Sequence, residues 1–384
     1  MRVLQVSYGM DRGGAETLIM NIYRNIDRTK VQFDFLLHNP ERTAYEDEIE
    51  RLGGRIYRIP RYLGYNRFSY DRNLKKFLLA HPEHRIIHDH LMDSAAETLR
   101  VARKLGRITV AHSHIVEYYT RFTDCIRFLF RRNLYRLSDY RFACSKDAGE
   151  WLYRGKADFT VLKNGIDTGK FRYSEEIRNS KREELGVTPG ELLITNIGRM
   201  VVQKNQKRLI TIFYLFNERH PESKLMIVGT GPLDKELEDE AERLGIRDRI
   251  IFTGERSDVP SLLASSDLFL FPSLFEGFGI VIIEAEAEGV PCVFSSNIPS
   301  DVDLIPSLVT RVSLSAPDTQ WVMAAENAIE QRNSARERAC LAVREKGYDI
   351  RETAAYMERF YLSLQAAATS LDCRDGGVEK MRKK

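Results

Sequence analysis

Residues 271–291 read Phe-Pro-Ser-Leu-Phe-Glu-Gly-Phe-Gly-Ile-Val-Ile-Ile-Glu-Ala-Glu-Ala-Glu-Gly-Val-Pro. An apolar run, Leu268 to Phe271, stops at Pro272-Ser273. A glycine turn, Glu276-Gly277-Phe278-Gly279, opens a helix-like segment that Gly289 and Pro291 close. Two carboxylates, Glu276 and Glu284, flank that turn with seven residues between them. Strand, turn and helix in this order gather backbone N–H groups and acids at the carboxyl end of a strand. Open α/β sheets bind their ligands there.

The same alternation runs outward in both directions. Toward the N-terminus, strand-like runs at Val3–Tyr8, Val31–His38, Arg55–Ile59, Ile86–Leu91, Ile108–His112, Tyr140–Cys144 and Phe159–Lys163 alternate with amphipathic segments. One of these is a long helix expected over Phe122–Leu137. Ser174 to Gly190, charged and rich in turn formers, reads as an interdomain segment. A second series follows, with strands at Leu192–Ile197, Lys224–Val228, Ile250–Thr253, Leu268–Phe271 and Cys292–Ser295. Helical pattern then runs from Thr319 to about Leu364, and the tail from Ala366 is expected to be frayed. This spacing predicts an α/β fold of two Rossmann-like domains facing across a cleft.

Composition agrees. A chain of 384 residues suits two domains. Residues 1–170 hold 30 Lys and Arg against 21 Asp and Glu, whereas the remainder holds 28 against 34. The basic half suits an anionic partner, and chance bias on a solvated surface explains it equally. Five cysteines stand singly with no Cys-x-x-Cys, so neither a zinc ribbon nor a disulfide framework is indicated, and a reducing cytosol is expected. The opening residues lack the basic start of a signal peptide, and no apolar run approaches the ~20 residues of a spanning helix.

Several residues carry candidate chemistry. Gly13-Gly14 stands between the first strand and the first helix, where glycine lets backbone approach a ligand and a helix N-terminus favours negative charge. Its spacing does not make a dinucleotide fingerprint. Arg199 and Lys204, after the strand Leu192–Ile197, suit a diphosphate, the first as a fork and the second as a point charge. Glu276 and Glu284 allow an acid/base pair as in glycoside hydrolases, or separate tasks at a sugar and at ribose hydroxyls. The amides of Phe278, Gly279 and Ile280 open a helix, which favours an anionic leaving group and hence separate tasks. His88-Asp89-His90 and His112-Ser113-His114 end two strands. No Cys or acidic cluster completes a metal site, so a single histidine reaching a substrate hydroxyl is expected instead. Asp301-Val302-Asp303 reads as surface. Arg121 to Arg141 forms a basic amphipathic helix, which suits either the packing a βαβ unit needs or an anionic membrane face.

Taken together, Gly13-Gly14-Ala15-Glu16, Ala111-His112-Ser113-His114, Cys144-Ser145, Asn164-Gly165-Ile166-Asp167, Gly198-Arg199 with Lys204, Val228-Gly229-Thr230-Gly231-Pro232 and Glu276 through Glu284 resemble the retaining glycosyltransferases of family 4, of the GT-B fold. The resemblance spans Met1 to about Leu364, and the stretch Leu37-His38-Asn39 through Gly53-Gly54-Arg55-Ile56 looks most like the branch that builds capsular and exopolysaccharides in bacteria. It implies an N-terminal acceptor domain over 1–170, a donor domain over 190–349, a helix over 350–365 returning to the first domain, and a flexible basic tail over 366–384. It implies a nucleotide-sugar donor, a UDP-sugar favoured, with hexose-type transfer to a polysaccharide or lipid-linked glycan precursor. The implied catalytic residues are Glu276 and His112, with His114 as the competing histidine. The implied donor-binding residues are Gly14, Arg199, Lys204, Glu284, Phe278, Gly279 and Ile280. No metal, no other cofactor and no nucleic acid is expected, and the enzyme is expected in the cytoplasm, with peripheral contact at an anionic inner membrane face. The leaving diphosphate would serve as base in a front-face reaction. Many members carry a glycine-rich loop with a glutamate after the strand Cys292–Ser295; here that loop is Asn297-Ile298-Pro299-Ser300-Asp301-Val302-Asp303. The alternatives at this stage are a nucleotide-sugar epimerase of the same fold and a non-catalytic partner subunit.

Overall fold

The computed structural model describes residues 1–91, 94–114, 133–331 and 336–381, with side chains to residue 366. The described chain forms two compact units. The first runs from Met1 to Gly165 and resumes at Ile350; the second is Ile166–Asp349.

The first unit is built on seven parallel strands: β1 (Arg2–Ser7), β2 (Gln32–Leu37), β3 (Ile56–Arg58), β4 (His84–Asp89), β5 (Ile108–Ser113), β6 (Tyr140–Ala143) and β7 (Thr160–Val161). Their order is β3-β2-β1-β4-β5-β6-β7. The second unit holds β8 (Leu192–Ile197), β9 (Ser223–Val228), β10 (Ile250–Gly254), β11 (Leu268–Phe271), β12 (Cys292–Ser295) and β13 (Val309–Val312), in the order β10-β9-β8-β11-β12-β13. The central strands are buried on both faces, as Val3-Leu4 with Val6 and Leu268-Phe269-Leu270-Phe271 show, so they read as continuous apolar runs. The strand order reverses between β1 and β4 in one sheet and between β8 and β11 in the other. Each reversal leaves a crevice at the carboxyl ends of those strands. The loops after Ser7, Asp89, Ile197 and Phe271 are therefore the places to look for a ligand.

The last helix, Ile350–Met381, belongs to the first unit. Ile350, Ala354, Met357, Tyr361 and Leu364 recur at helical spacing and are buried in one core with Leu18, Ile22, Phe33, Phe35 and Phe142. Each large apolar side chain so buried contributes roughly 1.5–3 kcal/mol. The helix continues to Met381, past the Leu364 expected from sequence, and runs through Gly376-Gly377.

The boundary between units also differs from the expected one. Ser174–Gly190 is no linker. Ser174 caps a helix, Glu175–Glu184, by accepting from the Ile177 amide at 3.4 Å. Arg178 and Arg182 then reach Asp267 at 2.6 and 3.1 Å, and Arg182 also reaches the Glu191 carbonyl at 2.6 Å. These buried contacts explain why a strongly charged segment packs rather than dangles. The chain leaves the first unit at Gly165–Ile166, and Ile166 pairs with Asp349 in a parallel bridge inside the second. Most of the expected helix Phe122–Leu137, and of the basic stretch Arg121–Arg141, lies outside the described residues; Leu134–Leu137 is helical.

Candidate functional site

In the second unit two loops meet at the reversal point. One follows β8 and carries Gly198 to Asn205; the other follows β11 and carries Pro272 to Gly279. Asn205 ends the short turn Val202–Lys204 in the left-handed region (φ 56°), which Asn tolerates better than most residues. From there its amide donates to the Pro272 carbonyl at 3.0 Å. Gln203 lies alongside. Its side chain donates to the Phe275 carbonyl, and its own carbonyl accepts from the Leu274 amide, both at 2.8 Å. These bonds lace the loops together without any ligand. Gly229, at φ 130°, lets the loop after β9 join them, since a Cβ there would lie 2.3 Å from the Gly198 carbonyl oxygen.

The lacing sets Lys204 against Glu276. Lys204 Nζ stands 2.7 Å from Glu276 Oε1, and the Ser273 hydroxyl is 2.6 Å from the same oxygen. Nζ also sits 4.9 Å from the centre of the Phe271 ring. The Glu276 carboxylate is buried, and Lys204 keeps 17% of its side chain exposed. The helix Ile280–Ala287 begins immediately after, with Gly279 at φ 92° as its first cap. The amides of Phe278, Gly279 and Ile280 point from that N-terminus with no backbone acceptor among the described residues, which suits an anion. Phe278 contributes backbone alone, because its ring is buried and stacks on Tyr348 at 5.9 Å.

Glu284 lies one turn further along. It has no hydrogen-bond or ion-pair partner among the described residues, and desolvation pushes its carboxyl up to about 8. Arg199 is exposed on the loop after β8; its carbonyl accepts from the Gln206 side chain at 3.2 Å, and its guanidinium has no partner among the described residues. Glu286, on the same helix, and Glu288, the residue that caps its end, are buried, and desolvation raises both to about 8. Glu286 accepts from the Leu304 and Ile305 amides at 3.4 and 2.8 Å, so its task is structural. Asp303 pairs with Arg311 at 2.7 Å.

In the first unit the loop after β1 ends at Gly13, which precedes the helix Gly14–Asn25. The two glycines differ. A Cβ on Gly13 would lie 2.3 Å from the Glu16 carboxylate, whereas one on Gly14 would meet nothing within 4 Å. Gly14 is thus the open face of the loop. Four histidines gather at the ends of β4 and β5. His90 Nδ1 is 2.8 Å from His114 Nε2, and His90 Nε2 is 2.8 Å from Gln5 Oε1. His88 Nδ1 is 2.6 Å from the Tyr361 hydroxyl. His112 has neither ring nitrogen partnered, though it is 1% exposed. Burial holds all four well below the usual imidazole range, so they are neutral at physiological pH.

The structure therefore brings Lys204, Glu276 and the Phe278–Ile280 amides to one point of the second unit, with Glu284 on the same helix. Gly14 and His112 lie in the first unit. The sequence reading did not anticipate Ser273, Gln203 and Asn205, which position the pair, nor Gln5 and Tyr361 among the histidines. Gln203 and Asn205, on either side of a candidate lysine, were the available signal for the first group; Tyr361 is about 270 residues from its partner and left none.

A family model described as "Glycosyltransferase Family 4" matches residues 12–170, and one described as "Glycosyl transferases group 1" matches 177–341. The putative glycosyltransferase EpsF of Bacillus subtilis is 32% identical over 369 residues, covering 94% of this chain and 96% of that protein. A UDP-Gal:alpha-D-GlcNAc-diphosphoundecaprenol alpha-1,3-galactosyltransferase of Escherichia coli is 32% identical over 148 residues, 38% of each chain. Among solved structures, Alr3699/HepE of Anabaena in complex with UDP-glucose superposes with a TM-score of 0.79 at 20% identity, covering 94% of this chain and 99% of that one. The fold is GT-B.

The three raised carboxyls make stability depend on pH. The folded chain keeps protons on Glu286 and Glu288 that the unfolded chain releases at ordinary carboxyl pKa values. Stability therefore falls as pH rises from about 4.5 toward about 8. Glu286→Gln removes one such proton. Its melting temperature relative to the parent chain should be higher at pH 8 than at pH 5 by several degrees; an equal difference at both pH values contradicts the assignment.

Proposed function

We propose how this chain, which belongs to glycosyltransferase family 4 and draws its sugar from a nucleotide-sugar donor, carries out the transfer. The observation that carries the reading is the Lys204–Glu276 pair beside the open amides of Phe278, Gly279 and Ile280. A cation, a carboxylate and unpaired N–H groups at one point suit a diphosphate joined to a sugar. The diphosphate draws Lys204 toward itself, with Arg199 as the second cation and the three amides on the phosphate nearer the sugar. Glu276, released from Lys204 but still held by Ser273, turns its charge to the sugar hydroxyls. Glu284, with no protein partner, accepts from the ribose hydroxyls. Gly14 gives the backbone of the first unit close approach to the diphosphate. His112 takes the sugar contact in preference to His114, because both its nitrogens are unpaired whereas His114 Nε2 is already held by His90.

The favoured donor is a UDP-hexose, transferred with retention and without a metal. As the glycosidic bond of the donor breaks, charge grows on the diphosphate, where Lys204, Arg199 and the amides stabilise it. The leaving oxygen then takes the proton of the acceptor hydroxyl on the same face. A polysaccharide or lipid-linked glycan precursor is the acceptor, a reading supported by the diphosphoundecaprenol-linked substrate in the name of the Escherichia coli relative.

No described helix is long and apolar enough to cross a membrane. Peripheral contact with an anionic membrane face instead finds support in the first unit. Leu63, Tyr65 and Phe68 are 51, 85 and 90% exposed, and exposed Arg61, Arg67, Arg72, Lys75 and Lys76 accompany them.

With a panel of UDP-sugars and a lipid-linked acceptor, Glu276→Gln should lower turnover by about 10² or more while leaving the fold intact. Glu284→Leu should weaken UDP binding about tenfold, the loss of its hydrogen bonds with the ribose hydroxyls. Turnover unchanged in the first variant removes the proposed role of Glu276, and product of inverted anomeric configuration by NMR removes retention. In sedimentation, the chain should bind anionic vesicles and not neutral ones. Salt, or Tyr65→Ser with Phe68→Ser, should release it; equal binding to both vesicle types speaks against the contact.

A further inference from the structure

We propose that His88, His90 and His112 form a binding site for a divalent ion of the zinc class within the first unit. One ring nitrogen from each lies within 4.8 Å of the others. Zinc–imidazole bonds of about 2.0–2.1 Å place ligand nitrogens about 3.4 Å apart in a tetrahedral site. Closing the gap takes side-chain shifts of about 1 Å. Two of the three rings offer nitrogens without a partner. His88 Nε2 has no partner, while its Nδ1 meets the Tyr361 hydroxyl at 2.6 Å, the outer contact that orients a ligating imidazole. His112 offers two buried nitrogens without partners, a costly state for polar atoms unless something binds there. His90 is partly exposed and gives a way in. It ligates by giving up Gln5 or His114.

The donor set also selects the ion. Imidazoles alone suit Zn²⁺, Ni²⁺ or Co²⁺, whereas Mg²⁺ and Ca²⁺ need oxygen ligands. The other histidine group, His81, Glu83 and His84, is a poorer candidate. His84 Nε2 is committed to Asp34 at 2.8 Å and His81 Nδ1 to Glu83 at 3.2 Å. An ion among His88, His90 and His112 ties down the imidazole assigned above to the donor sugar, so the site is inhibitory. That consequence rests on the reading of His112 as the sugar contact; the binding itself does not.

The full chain, freed of metal by chelation, is titrated with Co²⁺ and then with Zn²⁺. Co²⁺ should give the visible absorption of a tetrahedral complex at one equivalent, Zn²⁺ should abolish it, and excess Mg²⁺ should leave it unchanged. His88→Gln and Tyr361→Phe should each weaken binding about tenfold or more, whereas His81→Gln should not. Zn²⁺ should also protect His90, the partly exposed member, of the unaltered chain from diethyl pyrocarbonate, read by mass spectrometry, which needs no variant to fold. No absorption band with no protection, or binding lost in His81→Gln alone, overturns the site. In transfer assays Zn²⁺ should inhibit the parent chain and inhibit His88→Gln at least tenfold less. Binding without inhibition overturns the sugar contact of His112 and leaves the metal site standing.

Discussion

The ion pair between Lys204 and Glu276 is the contact on which the candidate site depends. An exposed pair of this kind contributes ~0–1 kcal/mol. This one is largely withdrawn from water, beside Phe271 and under Ser273, so each charge relies on the other. Removing one member of a buried pair typically costs about 3–5 kcal/mol, because the survivor is left uncompensated. A diphosphate can replace Glu276 as the partner of Lys204, and sugar hydroxyls can replace Lys204 as the partners of Glu276. In the proposed reading the pair keeps the site formed before a donor arrives and is the contact a donor exchanges.

Both units use the same topological device with opposite chemistry. In each, the sheet order reverses at its first strand, and glycine-bearing loops fill the crevice at the carboxyl ends. The second unit puts cations, carboxylates and helix-terminal amides there. The first puts neutral imidazoles, an amide side chain and the bare backbone of Gly14 there. A charged donor headgroup is matched by the first set of groups, and uncharged hydroxyls by the second.

Much of this was legible in the sequence. Parallel strands buried on both faces must be continuous apolar runs, so β1, β8 and β11 stand out, and the glycine turns at their ends follow. Lys204 was expected at a diphosphate with Arg199, and Glu276 at a sugar beside Glu284; their mutual contact was not legible, since 72 residues separate them. The Ser174–Gly190 segment misled because charge looks like solvent exposure until its partners, Asp267 and the carbonyls around it, are known. Glu286 and Glu288 were invisible for the converse reason. Burial of an acid depends on what packs over it, and the helix Ile280–Ala287 shows no amphipathic pattern to betray its inner face. The histidines were seen as two separate pairs, and only the pairing of β4 with β5 makes them one cluster.

Calorimetric titration of four proteins with UDP alone tests the exchange of partners most directly: the parent chain, Glu276→Gln, Lys204→Met and the double variant. UDP lacks the sugar that Glu276 is assigned to hold. If Lys204 must leave Glu276 to meet the diphosphate, Glu276→Gln frees it and tightens UDP binding by about tenfold, ~1.4 kcal/mol, and the same change has no effect once Lys204 is methionine. Equal weakening of UDP binding by Glu276→Gln in both backgrounds would contradict the account.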